Sequence, residues 1–453
     1  MSKPVVALVG RPNVGKSTLF NRLSGEKLAI VDEVPGTTRD RLYTLTEWTG
    51  KEFYIVDTGG LDPTAHSSRS VLSIGSAEFI EDIRSQVEIA ITEADVICFL
   101  VDVHAGVTPA DIEVANLLRT SQKKVGGKLF PPILLVVNKA DNINMMAEAY
   151  QFYELGMGDP FPISAMQGKA TGDLLDAIVE SFPPSIEEPE DNSVKIAIVG
   201  RPNVGKSTLL NKIVGKERSI VSPIPGTTRD AVDTPIKFNG LPITLIDTAG
   251  IRRRGRIERG VEKYSVIRSL RAIERADVAL LLIDATTGVL AQDAHVAGFI
   301  LEEWKSVIVV VNKWDAIEKD SYTMLEHTEK IRSELNFLSY VPLLFISAKM
   351  GQRVHQVLPT ALQVEEERHN WIGTGHLNRI IRKAVDAHPP RSGTGRPLNI
   401  YYANQVREDP PTFMLHVNEP KLAHFSYLRY LENQIRREYP YLGTPIRIIL
   451  KAS

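Results

Sequence analysis

Short apolar runs punctuate the chain, and stretches with helical periodicity separate them. Val5–Val9, Phe53–Asp57, Val96–Asp102 and Ile133–Asn138 are short and rich in β-branched residues, the pattern of buried strands. The alternation starts again at Lys195–Val199 and passes through Ala276–Asp284. Strands alternating with amphipathic helices predict a mostly parallel, doubly wound sheet. Such a sheet carries helices on both faces and binds ligands at the carboxyl ends of its strands. The expected fold class is α/β, with two such domains in tandem.

The pattern changes after Leu362. A helical run, His376–His388, precedes the loop Pro389–Pro397, and the strand-like runs Leu398–Val406 and Thr412–Val417 follow. An amphipathic helix, His424–Tyr439, and a β-branched run, Pro445–Lys451, complete the order. This α-β-β-α-β succession predicts a small α+β domain with helices on one face of its sheet. Phe182–Ser193 is rich in proline and acid and lacks periodicity, as an exposed tether does. The expected division is therefore 1–181, a linker 182–193, 194–362 and 363–453. Leu61–Glu93 and the insert Lys123–Pro132 are expected to be mobile parts of the first domain.

Composition narrows the setting. With 53 basic against 55 acidic residues and 43% apolar content, the chain has the make-up of a soluble globular protein. The single cysteine, Cys98, lies inside an apolar run and is expected to be a buried strand residue; no disulfide can form within the chain. No apolar run approaches the roughly 20 residues that span a bilayer, and a strand begins too soon after Met1 for a signal peptide. A cytoplasmic protein is expected, without a membrane partner.

The chemistry sits in a duplicated set of motifs. GRPNVGKST occurs as Gly10, Arg11, Pro12, Asn13, Val14, Gly15, Lys16, Ser17, Thr18 and again as Gly200, Arg201, Pro202, Asn203, Val204, Gly205, Lys206, Ser207, Thr208. Each copy follows a strand-like run and opens a helical one, the context of a phosphate-binding loop. Its backbone N–H groups surround a polyphosphate, since no bulky side chain intervenes. Lys16 and Lys206 would reach the β- and γ-phosphates, and Ser17 and Ser207 would ligate Mg2+. PGTTRD recurs, and its second threonines, Thr38 and Thr228, are the candidates to reach the same metal once a γ-phosphate is present. These two threonines and the two lysines are the catalytic candidates. Asp57, Thr58, Gly59, Gly60, Leu61 match Asp247, Thr248, Ala249, Gly250, Ile251. The aspartates end apolar strands and suit a carboxylate holding Mg2+ through water. Gly60 and Gly250 can offer an N–H to the γ-phosphate, so hydrolysis would release the segment that follows.

The base is expected to be guanine. Asn138, Lys139, Ala140, Asp141 and Asn312, Lys313, Trp314, Asp315 form two NKxD runs, with Ser164–Ala165 and Ser347–Ala348 downstream. Asp141 and Asp315 can accept both the ring N–H and the exocyclic amine of guanine. Adenine has no amine there and would leave the carboxylate unpaired. The asparagines would tie the base loop to the phosphate loop, and the lysine stems would cover the ring. The Ala165 and Ala348 amides would donate to O6. Both sets of motifs are intact, so the residues do not favour a first site that only binds and a second that alone hydrolyses. Leu61 and Ile251 stand where a water-orienting glutamine serves in Ras-like GTPases, and an apolar side chain cannot position the attacking water.

Five motifs in one order, twice, ahead of a small α+β domain resemble the EngA (Der) family of bacterial double GTPases. C-terminal stretches such as Pro410–Asn418, His424–Asn433 and Gly443–Ile448 extend the likeness. The resemblance implies a KH-like third domain and, as partner, the 50S ribosomal subunit and its ribosomal RNA, whose assembly the family serves. It implies a monomer with no DNA partner. The apolar substitution after DxxG resembles GTPases that use K+, where a phosphate-loop asparagine helps to hold the cation; Asn13 and Asn203 match it. The alternative, that these asparagines brace the loop by hydrogen bonding, stays open. No GxxG loop lies between helices, since Gly393–Gly395 precedes a strand, which departs from ordinary KH domains. Basic residues outnumber acids from Trp371 onward, which suits RNA or, equally, a solvated helix face. Arg252–Arg256 follows the second DTAG and would couple nucleotide state to RNA contact or to the third domain. The aromatics Tyr401, Tyr402, Phe425, Tyr427 and Tyr430 are expected in the core rather than on a base-stacking surface.

Overall fold

A computed structural model describes residues 3–24, 43–58, 94–125, 128–183, 193–216, 233–248, 265–390 and 397–452, with isolated positions between 84 and 92. The chain divides into two compact units, the first holding one set of motifs and the second holding the other with the C-terminal domain.

In the first unit, β1 (Val5–Val9), α1 (Lys16–Leu23), β2 (Tyr43–Trp48), β3 (Lys51–Asp57), β4 (Val96–Asp102) and α2 (Pro109–Ser121) come first. A short ribbon, β5 (Lys123–Val125) and β6 (Lys128–Phe130), then precedes β7 (Ile133–Asn138), α3 (Ile143–Glu148), β8 (Pro160–Pro162) and α4 (Thr171–Glu180). The six-stranded sheet has the order β2-β3-β1-β4-β7-β8. Only β2 pairs antiparallel. Strand residues alternate between two cores. Val6, Leu8, Cys98 and Leu100 pack with α1 and α4, while Ala7, Val9, Phe99 and Val101 pack with α2. That period of two explains why the runs are apolar at every position. Cys98 is buried as expected, and burial pushes its thiol up to about 12. The chain order reverses across β1, so the loop leaving β1 lies at the switch point where such sheets bind ligands.

Two details go beyond the sequence pattern. Within the insert, Lys123–Val125 and Lys128–Phe130 pair as an antiparallel ribbon. Phe182, expected in the tether, packs edge-on against Phe53 at 5.2 Å between ring centroids. An aromatic side chain beside an unfinished core is better covered than solvated. Residues 184–192 and most of 61–93 lie outside the described residues.

The second unit repeats the plan. Its elements are β9 (Val194–Val199), α5 (Lys206–Lys216), β10 (Thr234–Phe238), β11 (Leu241–Ile246), α6 (Ser265–Arg275), β12 (Val278–Asp284) and α7 (Ala291–Glu302). They continue with β13 (Ser306–Asn312), α8 (Thr323–Glu334), β14 (Leu343–Phe345) and α9 (Val357–Arg368). The sheet order is β10-β11-β9-β12-β13-β14. The C-terminal domain holds α10 (Thr374–Ala387), β15 (Ile400–Arg407), β16 (Thr412–Val417), α11 (Phe425–Glu438) and β17 (Arg447–Ala452). Both helices cover one face of the β15-β16-β17 sheet. Tyr427 and Tyr430 pack against that core, but Tyr401, Tyr402 and Phe425 are exposed, contrary to expectation. The two tyrosines on β15 stand where the strand passes a register shift, so simple alternation does not place them.

The expected boundary after Leu362 falls inside α9, which continues to Arg368. Arg368, 3% exposed, donates to the Trp304 carbonyl at 2.9 Å and pairs with Asp409. Nearby, the Val307 amide at the start of β13 donates to the Gly443 carbonyl at 2.7 Å, and the Gly443 amide to the Tyr340 carbonyl at 3.0 Å. Gly443 has φ +67, and a Cβ there would meet the Val307 oxygen and both Val364 methyls at 2.8 Å. Only glycine lets these backbones meet. Gly443→Ala is expected to destabilise the second unit by about 2–4 kcal/mol in chemical denaturation. Gly375→Ala in α10, where a Cβ meets nothing within 4 Å, should be neutral or stabilising.

Candidate nucleotide-binding sites

Each phosphate loop is shaped by two glycines with different jobs. Gly10 leaves β1 so close to β4 that a Cβ would stand 2.4 Å from the Leu100 carbonyl oxygen; at Gly200 the Leu282 oxygen would be met at 2.5 Å. Gly15 and Gly205, with φ +95 and +100, would each drive a Cβ to 2.3 Å from the Nδ2 of Asn138 or Asn312. The loop and the base motif are thus in contact before any ligand arrives. Asn13 and Asn203 take φ 65 and 62, a left-handed conformation that asparagine tolerates. Both are exposed, and neither carboxamide makes a hydrogen bond among the described residues.

Lys16 heads α1 and folds back over its own loop. Its Nζ donates to the Gly10 and Arg11 carbonyls at 2.6 and 3.0 Å. Burial pushes its amine down to about 8, with the Asp57 charge opposing and Arg11 reinforcing the shift. Lys206 donates to the Gly200 and Arg201 carbonyls, both at 2.6 Å. An ammonium resting on loop carbonyl oxygens is poised for an anionic ligand, which would oppose the burial effect.

At the end of β3, Asp57 accepts a 2.8 Å hydrogen bond from the Ser17 hydroxyl. A hydroxyl and a carboxylate converging beside a phosphate loop fit the oxygen ligand set of Mg2+. The second copy is arranged differently: Asp247 has φ 53, and its amide donates to Asp233, which pairs with Arg275. The Thr58 hydroxyl donates to the Leu8 carbonyl at 2.7 Å, so that side chain supports the sheet rather than facing a ligand. Thr248 is likewise buried and bonded to Thr234. Thr38, Gly59, Gly60, Leu61, Thr228, Ala249, Gly250, Ile251, Arg252–Arg256 and Gly393–Gly395 lie outside the described residues.

The base motifs behave as a clamp. Asn138 donates to the Val14 carbonyl at 2.9 Å and accepts from the Ala165 amide at 3.0 Å. Asn312 repeats this with Val204 at 2.8 Å and Ala348 at 2.9 Å. The alanine amides expected at guanine O6 are therefore engaged by asparagine here, and O6 would have to share them. Asp141 accepts from the Ser164 hydroxyl at 2.6 Å. The Ser347 hydroxyl holds the Asp315 carboxyl below the usual carboxylate range. Asp141 is half-buried and Asp315 exposed, so an incoming base would itself supply their burial. Trp314 is buried against Phe345 and His327; its side chain is core, not a ring contact.

Four acids escaped the sequence reading. Asp102 and Asp284, at the ends of β4 and β12, bind Lys139 and Lys313 at 2.6 Å. For Asp284, burial acts upward, but bonds from Lys313 and Thr286 outweigh it and hold the carboxyl low. Asp111 and Asp293 pair with the phosphate-loop arginines, Arg11 at 3.3 Å and Arg201 at 3.0 Å. These arginines thus turn away from the phosphate position. The sequence signal for the acids was the equal spacing of Asp102 to Asp111 and of Asp284 to Asp293.

Comparison with known proteins fits this geometry. A family described as "50S ribosome-binding GTPase" matches residues 5–139 and 195–313. One described as "KH-domain-like of EngA bacterial GTPase enzymes, C-terminal" matches residues 372–451. A GTPase Der from Chloroflexus aggregans is 52% identical over 459 residues, covering 100% of this chain and 98% of that protein. One from Caldanaerobacter subterraneus subsp. tengcongensis is 51% identical over 452 residues, covering 100% and 99%. No helix among the described residues is long and apolar enough to cross a membrane. Two phosphate loops, each clamped to its own base motif, with a KH-like domain beside the second, place this chain in the GTPase Der (EngA) family of tandem GTP-hydrolysing enzymes.

Proposed function

We propose that both copies bind GTP with Mg2+, hydrolyse it to GDP and phosphate, and so control association with the 50S ribosomal subunit and its RNA. The observation that carries the two-site reading is the pair of asparagine clamps. Each joins a phosphate loop to a base loop with the same partners, so neither copy has lost its pocket. The first GTPase domain runs to about Phe182, the second from Ser193 through α9, and the KH-like domain from Trp371. The working compartment is the cytoplasm.

In this reading Lys16 and Lys206 leave their loop carbonyls for the phosphates, and the loop amides enclose the β-phosphate. Ser17 with Asp57, and Ser207 with Asp247, hold Mg2+, which when bound neutralises charge on the phosphates. Thr38 and Thr228 complete that set. The exposed carboxamides of Asn13 and Asn203 are oxygen donors suited to K+. The RNA reading draws support from the family description and from exposed Tyr401, Tyr402 and Phe425 on the KH-like domain.

Asp141→Asn and Asp315→Asn should each weaken GTP binding at one site by about 100- to 1000-fold, from two lost charge-assisted hydrogen bonds. Each should create one site for xanthosine nucleotides, which carry an acceptor where guanine has the amine. Titration calorimetry reads both changes; two full guanosine sites in either variant would refute the base assignment. Lys16→Ala and Lys206→Ala, with hydrolysis followed separately, test whether both sites turn over.

Nucleotide binding at the first site should take up protons near pH 8. Burial lowers the Lys16 amine to about 8 in the free protein, whereas a bound phosphate favours the ammonium and raises it. Affinity should therefore fall as pH rises above about 8, approaching one proton per nucleotide. Calorimetry of Lys206→Ala protein in two buffers of different ionisation enthalpy measures this uptake.

Co-sedimentation with 50S particles in GDP, GTP and a non-hydrolysable analogue tests the switch. Association indifferent to all three would remove nucleotide control from the proposal.

A further inference from the structure

The two phosphate loops carry the same sequence but are anchored unequally. In both copies the loop arginine points into the domain, toward an aspartate in the first turn of the helix after β4 or β12, α2 or α7. The aspartates Asp111 and Asp293 are fully buried. In the first copy Asp111 is occupied by the helix start: its Oδ2 accepts from the Thr108 amide at 3.1 Å and the Thr108 hydroxyl at 2.6 Å. Arg11 approaches the other oxygen only to 3.3 Å, and Arg11 Nε, Arg11 Nη2 and Asp111 Oδ1 are buried without a hydrogen bond.

In the second copy Leu290 stands at the position of Thr108 and offers no hydroxyl. Asp293 Oδ2 accepts from the Leu290 amide and from Arg201 Nε, both at 3.0 Å. Arg201 Nη2 donates to the Thr287 hydroxyl and, at 3.3 Å, to the Gly288 carbonyl. Thr287 in turn donates to the Asp284 carbonyl at 3.4 Å, and Asp284 holds Lys313 of the base loop. The second phosphate loop is thereby linked to its base loop through Thr287 and Asp284, the latter by its backbone carbonyl and its carboxylate. The residue corresponding to Thr287, three places past the strand-ending aspartate, is Ala105 in the first copy. Alanine has no side-chain acceptor for Arg11, and no such link is present among the described residues.

We propose that Thr287, together with Asp293, is a positioning residue for the second phosphate loop, and that its replacement by Ala105 makes the first site release GDP faster than the second. The inference rests on the reading of both loops as nucleotide sites. The Arg201 backbone carbonyl is one of the two that hold Lys206, so fixing the arginine side chain fixes the backbone that shapes the pocket. A loop whose backbone is already fixed loses less freedom on binding, and its complex persists longer.

The test uses the full chain and fluorescent GDP, with Lys16→Ala to read the second site and Lys206→Ala to read the first. Binding stoichiometry must fall to one in each background; if it does not, the site assignment itself has failed. Thr287→Val, similar in shape but without the hydroxyl, should speed release from the second site about three- to tenfold, the net worth of one ordinary hydrogen bond. Thr287→Ser should restore the parent rate, and Ala105→Thr should slow release from the first site. A purely structural role would move the unfolding midpoint and leave these rates in proportion. Equal release from the two sites, or a Thr287→Val rate equal to the parent's, would overturn the proposal.

Discussion

A side-chain carboxamide in each copy fixes the geometry on which the pockets depend. Asn138 and Asn312 each use both ends, donating to the phosphate loop and accepting from the segment behind the base loop. A carboxylate could not donate, and a lysine could not accept. The contact is also close: a methyl group at Gly15 or Gly205 would overlap it. The phosphate end and the base end are therefore spaced by buried hydrogen bonds, and a buried bond is costly to break.

Around this clamp the sheet does the positioning. Because β1 and β9 lie between strands reached in opposite chain directions, the loops that follow them open into a crevice at the strand ends. Loops carrying a lysine, a serine and a paired carboxylate then meet there without long connections. The opposite end of the second sheet is put to a different use. There the start of β13 donates a backbone hydrogen bond to Gly443, and Arg368 closes the joint from the end of α9. In the first copy the strand at that place, β7, is preceded by the β5–β6 ribbon. Duplication kept the nucleotide end and let the far end diverge.

The fold and the pockets were legible in different degrees. Continuous apolar runs gave the parallel strands, since residues covered on both faces leave no polar alternation to obscure them. The C-terminal order was equally readable, because its helices are amphipathic and each covers one face. The limits of α9 were not, because Arg368 looks like a surface residue until its partners Trp304 and Asp409 are brought beside it. Tyr401 and Tyr402 misled for a related reason: aromatic content in a strand does not say which face is covered when the register shifts. The ribbon in the insert was hidden by its brevity.

By itself the chain pointed to the chemistry: recurring motifs imply a phosphate loop, a candidate metal carboxylate and a candidate base-selecting carboxylate, since these groups act through local backbone and side-chain identity. Tertiary structure alone decided which acids hold the loop arginines and base-loop lysines, which alanine amides the clamps engage, and how tightly each copy of an identical loop is anchored. Those properties arise between residues far apart in sequence, where distance and burial set the strength of a charge pair, and neither can be read from a row of letters.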